Sequence, residues 1–137
     1  MSKYTTVTTE FRDPECLVEA LHELGYTDAK FHEKALHLTG YQGDTRTQTA
    51  EVIVRRSTKG GLGGASNDLG FKRNAEGNYE ALISEYDQGY LGLDFVPKLK
   101  TTYSEINTKK TALIQGLRFV QKTTNELGEV QLEFSVL

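Results

Sequence analysis

Residues 117–136 read LRFVQKTTNELGEVQLEFSV, and this stretch decides the fold class. Apolar and polar residues alternate along its second half, which is typical of a strand with one buried face. The apolar positions are Val130, Leu132, Phe134 and Val136. The first half is rich in β-branched and aromatic residues, and 125–128 supplies a turn that contains glycine. We predict a β-hairpin with strands at 117–123 and 130–136.

A helix is predicted directly before this hairpin, at about 94–115. Its apolar residues recur with a period near 3.6, as one buried helix face requires. They are Leu99, Tyr103, Ile106, Leu113 and Leu117. Lys110 interrupts the stripe, so we expect its aliphatic stem to lie at the edge of the buried face.

The same order of helix and then hairpin occurs earlier in the chain. Asp13 followed by Pro14 is typical of a helix N-terminus. An apolar stripe at Leu17, Ala20, Leu21 and Leu24 follows, and Gly25 closes it, so we predict a helix at about 14–24. Further strands are predicted at 4–11, 29–38, 49–55, 69–73 and 79–86.

These elements predict an α+β protein with a mostly antiparallel sheet of about six to seven strands. Both main helices are expected on one face of that sheet. No linker separates the two halves, so we expect one domain over 1–137. Residues 57–67 are rich in glycine and carry one large apolar residue, so we expect a flexible loop that builds no core.

Composition excludes several classes of protein. The net charge of −3 argues against general nucleic-acid binding, and no apolar run approaches the ~20 residues that span a bilayer. The first residues lack an apolar segment, so we expect no secretory signal. A single cysteine, Cys16, fits a reducing compartment, and we expect the cytoplasm.

No motif assembles a catalytic centre, a metal site or a cofactor site. The glycine cluster lacks the lysine and the following helix of a phosphate-binding loop, because Lys59 precedes it. The histidines at 22, 32 and 37 have no zinc-site spacing, and acidic neighbours oppose thiolate formation at Cys16. Carboxylates near the central hairpin, from 80 to 94, are compatible with acid–base chemistry or with a solvated edge. We therefore expect no catalytic residue and lean against an enzyme.

Basic residues bracket the glycine cluster. Arg55 and Arg56 end one predicted strand, and Lys72 and Arg73 end another. If those strands are neighbours, the four charges gather on one edge and form a patch for a phosphate-bearing ligand, a nucleic acid or an acidic protein. The alternative, which we favour, is a charged edge that prevents strand-to-strand aggregation.

Several segments together resemble an uncharacterised conserved family of cyanobacteria, other bacteria and algal plastids, known as hypothetical chloroplast reading-frame proteins with a domain of unknown function. The segments that carry the resemblance are 6–12 leading into Asp13, Leu17 to Tyr26, 40–43, 50–54, 68–71, 77–80, the late helix with Tyr103, and 127–136. The resemblance implies no established activity, and it adds the plastid stroma as a compartment. Similar proteins often carry tryptophan in the stretch matching 85–91, which this chain lacks, and its 59–66 segment is longer than usual.

Three hypotheses for function remain open. The first is a small, soluble, non-enzymatic binding or assembly module with a protein partner or with itself. The second is a small-ligand protein or enzyme with a pocket near the central hairpin, lined by Tyr41, Phe71, Tyr79, Glu80 and Tyr86. The third, ranked lowest, is nucleic-acid binding through the four basic residues.

Overall fold

A computed structural model describes residues 3–56, 59–63 and 66–137. Within them the chain forms seven strands and three helices. In order, these are β1 (Tyr4–Phe11), α1 (Pro14–Glu23), β2 (Lys30–Thr39), β3 (Thr45–Val54), β4 (Leu69–Arg73), β5 (Tyr79–Ser84), α2 (Glu85–Leu91), α3 (Phe95–Ile114), β6 (Leu117–Thr124) and β7 (Val130–Val136).

The strands form two antiparallel sheets instead of one. Among the described residues five strands pair in the order β1-β5-β4-β3-β2, and β6 and β7 pair as a separate two-stranded sheet. The α+β class and the antiparallel direction are confirmed, but the single sheet is wrong. Helix α3 follows β1: Val96 lies near Val7, Tyr103 packs on Phe11 at the end of that strand, and Lys110 reaches Asp13 beyond it. The helix therefore runs past the sheet and starts the hairpin beyond it.

Helix α1 begins where the sequence predicts. The Asp13 carboxylate accepts hydrogen bonds from the backbone N–H groups of Glu15 and Cys16. Leu17, Ala20 and Leu21 are completely buried beneath it, as their spacing requires. Helix α1 connects β1 to β2, and these two strands lie at opposite edges of the sheet.

Tyr103 and Lys110 of α3 anchor the start of α1. The hydroxyl oxygen of Tyr103 accepts hydrogen bonds from the N–H groups of Arg12 and Asp13, each at 3.0 Å. The Nζ atom of Lys110 lies 2.7 Å from Asp13 and 3.3 Å from Glu15. Lys110 thus lies at the helix edge with its charge paired, whereas Leu113, expected on the buried stripe, is 59% exposed. The stripe fails there because α3 has passed the sheet.

The five-stranded sheet is apolar on both faces. Val52, Val54 and Phe71 face the helices, while Ala50 and Ile53 belong to a smaller cluster on the other face. Strict alternation along β3 therefore breaks at Glu51, whose carboxylate accepts the backbone N–H of Arg73. Beyond this point β2 and β3 curl over the second face, and the Arg46 guanidinium lies 5.0 Å from the ring centroid of Tyr4 on β1.

Helix α2 was not predicted from the sequence. Strand β5 was expected to run to residue 86, but it ends at Ser84, and a helix begins at Glu85. The Ser84 Oγ accepts the backbone N–H of Asp87, as in the S-x-x-D pattern of a helix start. That pattern is present in the sequence and overrides the β-like residues that follow Ser84.

The glycine-rich segment contributes to the core at one position. Leu62 is 3% exposed within the main cluster, and its N–H donates to the Arg55 carbonyl. The expectation that this segment builds no core is therefore wrong at Leu62. Residues 57, 58, 64 and 65 lie outside the described residues, so flexibility of the loop stays a prediction.

Candidate functional site

The four basic residues that bracket the glycine-rich segment lie at opposite ends of one strand pair. Strands β3 and β4 are neighbours, with Val54 opposite Leu69 and Val52 opposite Phe71. Because the pair is antiparallel, Arg55 and Arg56 follow β3 beside the start of β4, while Lys72 and Arg73 end β4. About four residues of strand, roughly 13 Å, separate the two pairs. The expected gathering of all four charges on one edge is wrong.

Arg55 and Arg56 hold a buried turn. The Nη1 atom of Arg55 lies 2.6 Å from Oδ2 of Asp68, a completely buried side chain. The same carboxylate accepts the backbone N–H groups of Thr39 and Arg56, each at 2.8 Å. The Arg56 side chain donates to the carbonyls of Ser66 and Tyr41. Both arginines thus have structural roles in this turn.

A second set of buried polar groups adjoins this turn. Oδ2 of Asp87 accepts the Asn67 backbone N–H and the Ser84 hydroxyl, while the Asn67 amide donates to Ser84 Oγ. Oδ1 of Asp87 is buried with no hydrogen-bond partner among the described residues. We call Asn67, Asp68, Ser84 and Asp87 the polar junction. It joins β2, β3, β5 and α2.

The aromatic residues proposed for a ligand pocket do not share an open cavity. Phe71 and Tyr79 are buried in the main core, and burial raises the pKa of the Tyr79 phenol. Tyr41 and Tyr86 are exposed on the surface. Glu80 is partly exposed and pairs with Lys72 across β4 and β5. Their dispersal gives no support to a pocket at the central hairpin.

Lys72 and Arg73 are the exposed members of the basic set. The Nζ atom of Lys72 donates to the Thr49 hydroxyl at 2.8 Å, so this ammonium is already held along β3. Lys72 and Arg73 end β4, the central strand of the five, with Glu51 of β3 and Glu80 of β5 beside them. Because a central strand is paired on both sides, the alternative that these residues protect a sheet edge gains no support.

Cys16 is unsuited to nucleophilic chemistry. It is 1% exposed, and burial raises the pKa of its thiol to about 11, with the Asp13 carboxylate adding to the shift. Its Sγ lies 3.9 Å from Oδ1 of Asn107 on α3. At neutral pH the thiol is protonated, so a thiolate nucleophile is rare.

Exposed apolar side chains are concentrated at the C-terminal end of the chain. Every residue of β6 and β7 is at least partly exposed to solvent. We use the name hairpin surface for the apolar side chains there that are at least 43% exposed. They are Leu113, Ile114, Val120, Leu127, Val130, Val136 and Leu137.

The hairpin is attached to α3 by few side chains. Lys122 forms an ion pair with Glu105 at 2.8 Å, and the Lys109 ammonium lies 4.0 Å from the ring centroid of Phe119. Phe119 packs edge-on against Phe134, with ring centroids 6.0 Å apart. These contacts orient the apolar face of the hairpin toward α3 but leave part of that face exposed to solvent.

Two of the open grooves beside α3 share one side of the helix. One, of about 370 Å³, runs between α3 and the β7 residues Val130 and Leu132. The other, of about 580 Å³, runs between α3 and residues 8–11 of the edge strand β1. Lys100, Ser104 and Thr108 line both grooves. They are spaced by four residues and form a polar ridge on α3, which we call the α3 ridge.

The hairpin surface was not predicted from the sequence. Alternation along a strand indicates that one of its faces is buried, but it does not indicate which element covers that face. A signal was present in α3. Residues 107–111 read NTKKT, a polar run at the end of the helix next to the hairpin. A helix that covered an apolar hairpin would carry apolar residues there.

Among the described residues, no helix combines the length and the apolar character that crossing a bilayer requires. No group of three or more His, Cys, Asp or Glu side chains in the described ranges converges as a metal-binding cluster.

Comparison with known proteins identifies a family. Neither the curated proteins nor the solved structures contain a match to the chain. The family model described as "Protein of unknown function (DUF1257)" matches residues 20–133, which include the polar junction, the α3 ridge and most of the hairpin. The chain belongs to this DUF1257 family of proteins of unknown function.

Proposed function

We propose that this protein is a non-enzymatic binding or assembly module whose hairpin surface docks onto another protein chain. The observation that carries the proposal is the exposure of β6 and β7. A two-stranded hairpin is marginally stable in water and normally needs a third strand or a helix over its apolar face. Here α3 covers that face only partly, and the remaining apolar side chains are available to a partner.

The total accessible surface supports the same proposal. The chain exposes 8255 Å², whereas a compact monomer of 15.3 kDa is expected to expose about 7,100 Å². The excess, about 1,100 Å², is similar to the roughly 800 Å² that each partner buries in a standard protein interface. One docking event is enough to cover it.

The charges around the hairpin surface favour a protein over a nucleic acid or an anionic membrane. The hairpin carries both signs, at Arg118, Lys122, Glu126, Glu129 and Glu133. A polyanion would meet three carboxylates there, whereas an apolar protein surface with a mixed-charge rim would fit.

The remaining parts of the proposal follow from this module. We propose that 1–137 acts as one domain, because Lys122 and Phe119 tie the hairpin to α3. We propose a reducing compartment, the cytoplasm or the plastid stroma, because the single cysteine is buried and has no disulfide role.

The experiment compares two triple variants of the full chain. Ile114→Ser, Val136→Ser and Leu137→Ser change the hairpin surface, and Tyr86→Ser, Tyr90→Ser and Leu93→Ser change equally exposed apolar residues near α2. Circular dichroism first checks that both variants keep the fold. Self-association is then measured by sedimentation, and stoichiometric co-purification is measured from native lysate.

The expected result is an association that the hairpin variant loses and the α2 variant keeps. A wild-type chain that stays monomeric and retains no stoichiometric partner would overturn the proposal. An association that the α2 variant loses and the hairpin variant keeps would overturn it as well.

A further inference from the structure

We infer that the partner of the hairpin surface is a second copy of this chain, with β7 of each copy lying along the β1 edge of the other. The inference rests on the proposed docking function and adds its occupant. Four features of the described residues carry it: an unguarded strand edge, a groove beside that edge, the position of the α3 ridge, and the charges that would meet.

The two edges of the five-stranded sheet differ in how they are guarded. The β2 edge carries charges at Lys30, Glu33 and Lys34. Such charges prevent edge-to-edge pairing. The β1 edge instead presents Thr6 and Thr8, with Glu10 as its single charge within the strand. Of the two edges, β1 is the one open to an added strand.

The groove beside β1 has the geometry of strand addition. In that mode an extended segment pairs with an edge strand, and its alternate side chains enter a groove beside the strand. Residues 8–11 form one wall of the 580 Å³ groove, and the α3 residues Lys100, Ser104 and Asn107 are among those that form the other. The pairing of β1 with β5 shifts between Val7 and Phe11, at the mouth of this groove.

The α3 ridge makes the contact reciprocal. Because Lys100, Ser104 and Thr108 line both grooves, β1 and β7 lie on the two sides of this ridge. A two-fold axis at this ridge would place β7 of each copy opposite β1 of the other. Both contacts then form together and the assembly closes as a dimer, whereas a one-way contact would continue into a filament.

Strand β7 suits the site by pattern and by charge. It is a seven-residue strand that alternates apolar and polar side chains, and within the described part of the chain one of its edges has no strand beside it. Glu129 and Glu133 lie on or next to β7, and Lys100 lines the receiving groove. Glu10 lines the same groove, so the charges favour a register that brings the β7 carboxylates to Lys100 and away from Glu10.

The first test adds one charge to either of two exposed strand residues. Thr8→Lys places an ammonium on the β1 edge, and Thr47→Lys places the same charge on β3. Sedimentation equilibrium from micromolar to sub-millimolar concentration measures the dimer. We expect Thr8→Lys to weaken the dimer at least about tenfold and Thr47→Lys to leave it unchanged. Equal effects of the two variants would overturn the inference.

The second test identifies which strands meet. Full chains with Thr8→Cys are mixed with full chains with Val130→Cys, and a short bis-maleimide is added. Cys16 is buried, so we expect it to stay unmodified in the folded chain. We expect a cross-linked heterodimer, and we expect no cross-link when Glu33→Cys on the β2 edge replaces Thr8→Cys.

The outcomes separate this inference from the proposed function. A dimer that cross-links only through two Val130→Cys chains overturns the β1 exchange but keeps hairpin docking. The wild-type chain could also stay monomeric at every concentration and bind a different protein through the hairpin surface. That result overturns the inference of a second copy and keeps hairpin docking. A wild-type chain that associates neither with itself nor with another protein overturns both the second copy and the proposed docking function.

Discussion

Nη1 of Arg55 lies 2.6 Å from Oδ2 of Asp68, and the Asp68 side chain is completely buried. A carboxylate removed from water is costly unless charge and hydrogen bonds replace its hydration. Arg55 supplies the charge, and the N–H groups of Thr39 and Arg56 supply the hydrogen bonds. The ion pair therefore fixes the segment that leads from the glycine-rich loop into β4, and it explains the charge of Arg55 without a ligand.

Removal of the Arg55 guanidinium is expected to destabilise the fold. Arg55→Met keeps the aliphatic stem but leaves Asp68 buried without its counter-ion. Because the Arg55 side chain is 32% exposed, we expect a loss of about 2 kcal/mol, below the 3–5 kcal/mol typical of a fully buried pair. Urea denaturation measures this loss as a change in the free energy of unfolding. Arg118→Met, on the exposed hairpin, is the matched control, and an equal loss in both variants would contradict the role of Asp68.

Gly70 is expected to tolerate no larger residue. A Cβ atom there would lie 2.9 Å from the Cβ of Ala50 and 2.9 Å from a methyl carbon of Leu38. We expect Gly70→Ala to cost about 2 kcal/mol through overpacking, as measured by thermal denaturation. Gly89→Ala in α2 has nothing within 4 Å and serves as the control, with no loss expected. In a double-mutant cycle, Leu38→Ala should relieve part of the cost, and strictly additive effects would argue against a clash.

The elements that local chemistry determines could be predicted from sequence. The Asp13–Pro14 start fixes α1, and β1, β4 and β7 match their predicted bounds because cap or turn residues flank them. The basic patch could not be predicted, since it depended on strand direction. Antiparallel pairing puts Arg55 and Lys72 at different ends of β4. The isolation of the hairpin also escaped prediction, because the alternation of β7 is the same whether a sheet, a helix or another chain covers it.

Cys16 is expected to be unreactive in the folded protein. Burial and the Asp13 carboxylate raise the pKa of its thiol to about 11, so only about one thiol in a thousand is ionised near pH 8. Labelling with a thiol-specific disulfide reagent at that pH should be limited by unfolding, and it should become fast in denaturant. Labelling of the native chain at the rate of a free thiol would contradict the buried position.

The ion pair between Asp13 and Lys110 is expected to make stability depend on pH. Burial opposes ionisation of Asp13, but hydrogen bonds from Lys110 and the Cys16 N–H outweigh it and hold the pKa of Asp13 below its usual value. This contribution is present above the unfolded pKa of about 3.9 and is lost as the pH falls through the folded value. Asp13→Asn keeps an N-cap acceptor, so at neutral pH it should lose only about 0.5 kcal/mol.

Urea denaturation of wild type and Asp13→Asn across the acid range measures this dependence. The difference between them should shrink toward zero as Asp13 protonates. Lys110→Met is the companion variant, because it removes the same ion pair from the other side and should show the same narrowing. A difference that stays constant from neutral pH to strong acid would mean that the pair contributes nothing.

The exposed hairpin is expected to open more readily than the five-stranded sheet. Few side chains attach β6 and β7 to α3, whereas Phe71 of β4 and Tyr79 of β5 are buried in the main core. In dilute protein, amides of β6 and β7 should exchange with deuterium at least about tenfold faster than those of β4 and β5. Raising the concentration should slow exchange in β1 and β7 together, because the inferred dimer pairs these strands. Thr8→Lys is the control, because it should abolish the rise in protection in both strands. If protection in β7 rises with concentration while protection in β1 stays unchanged, the hairpin docks somewhere other than β1.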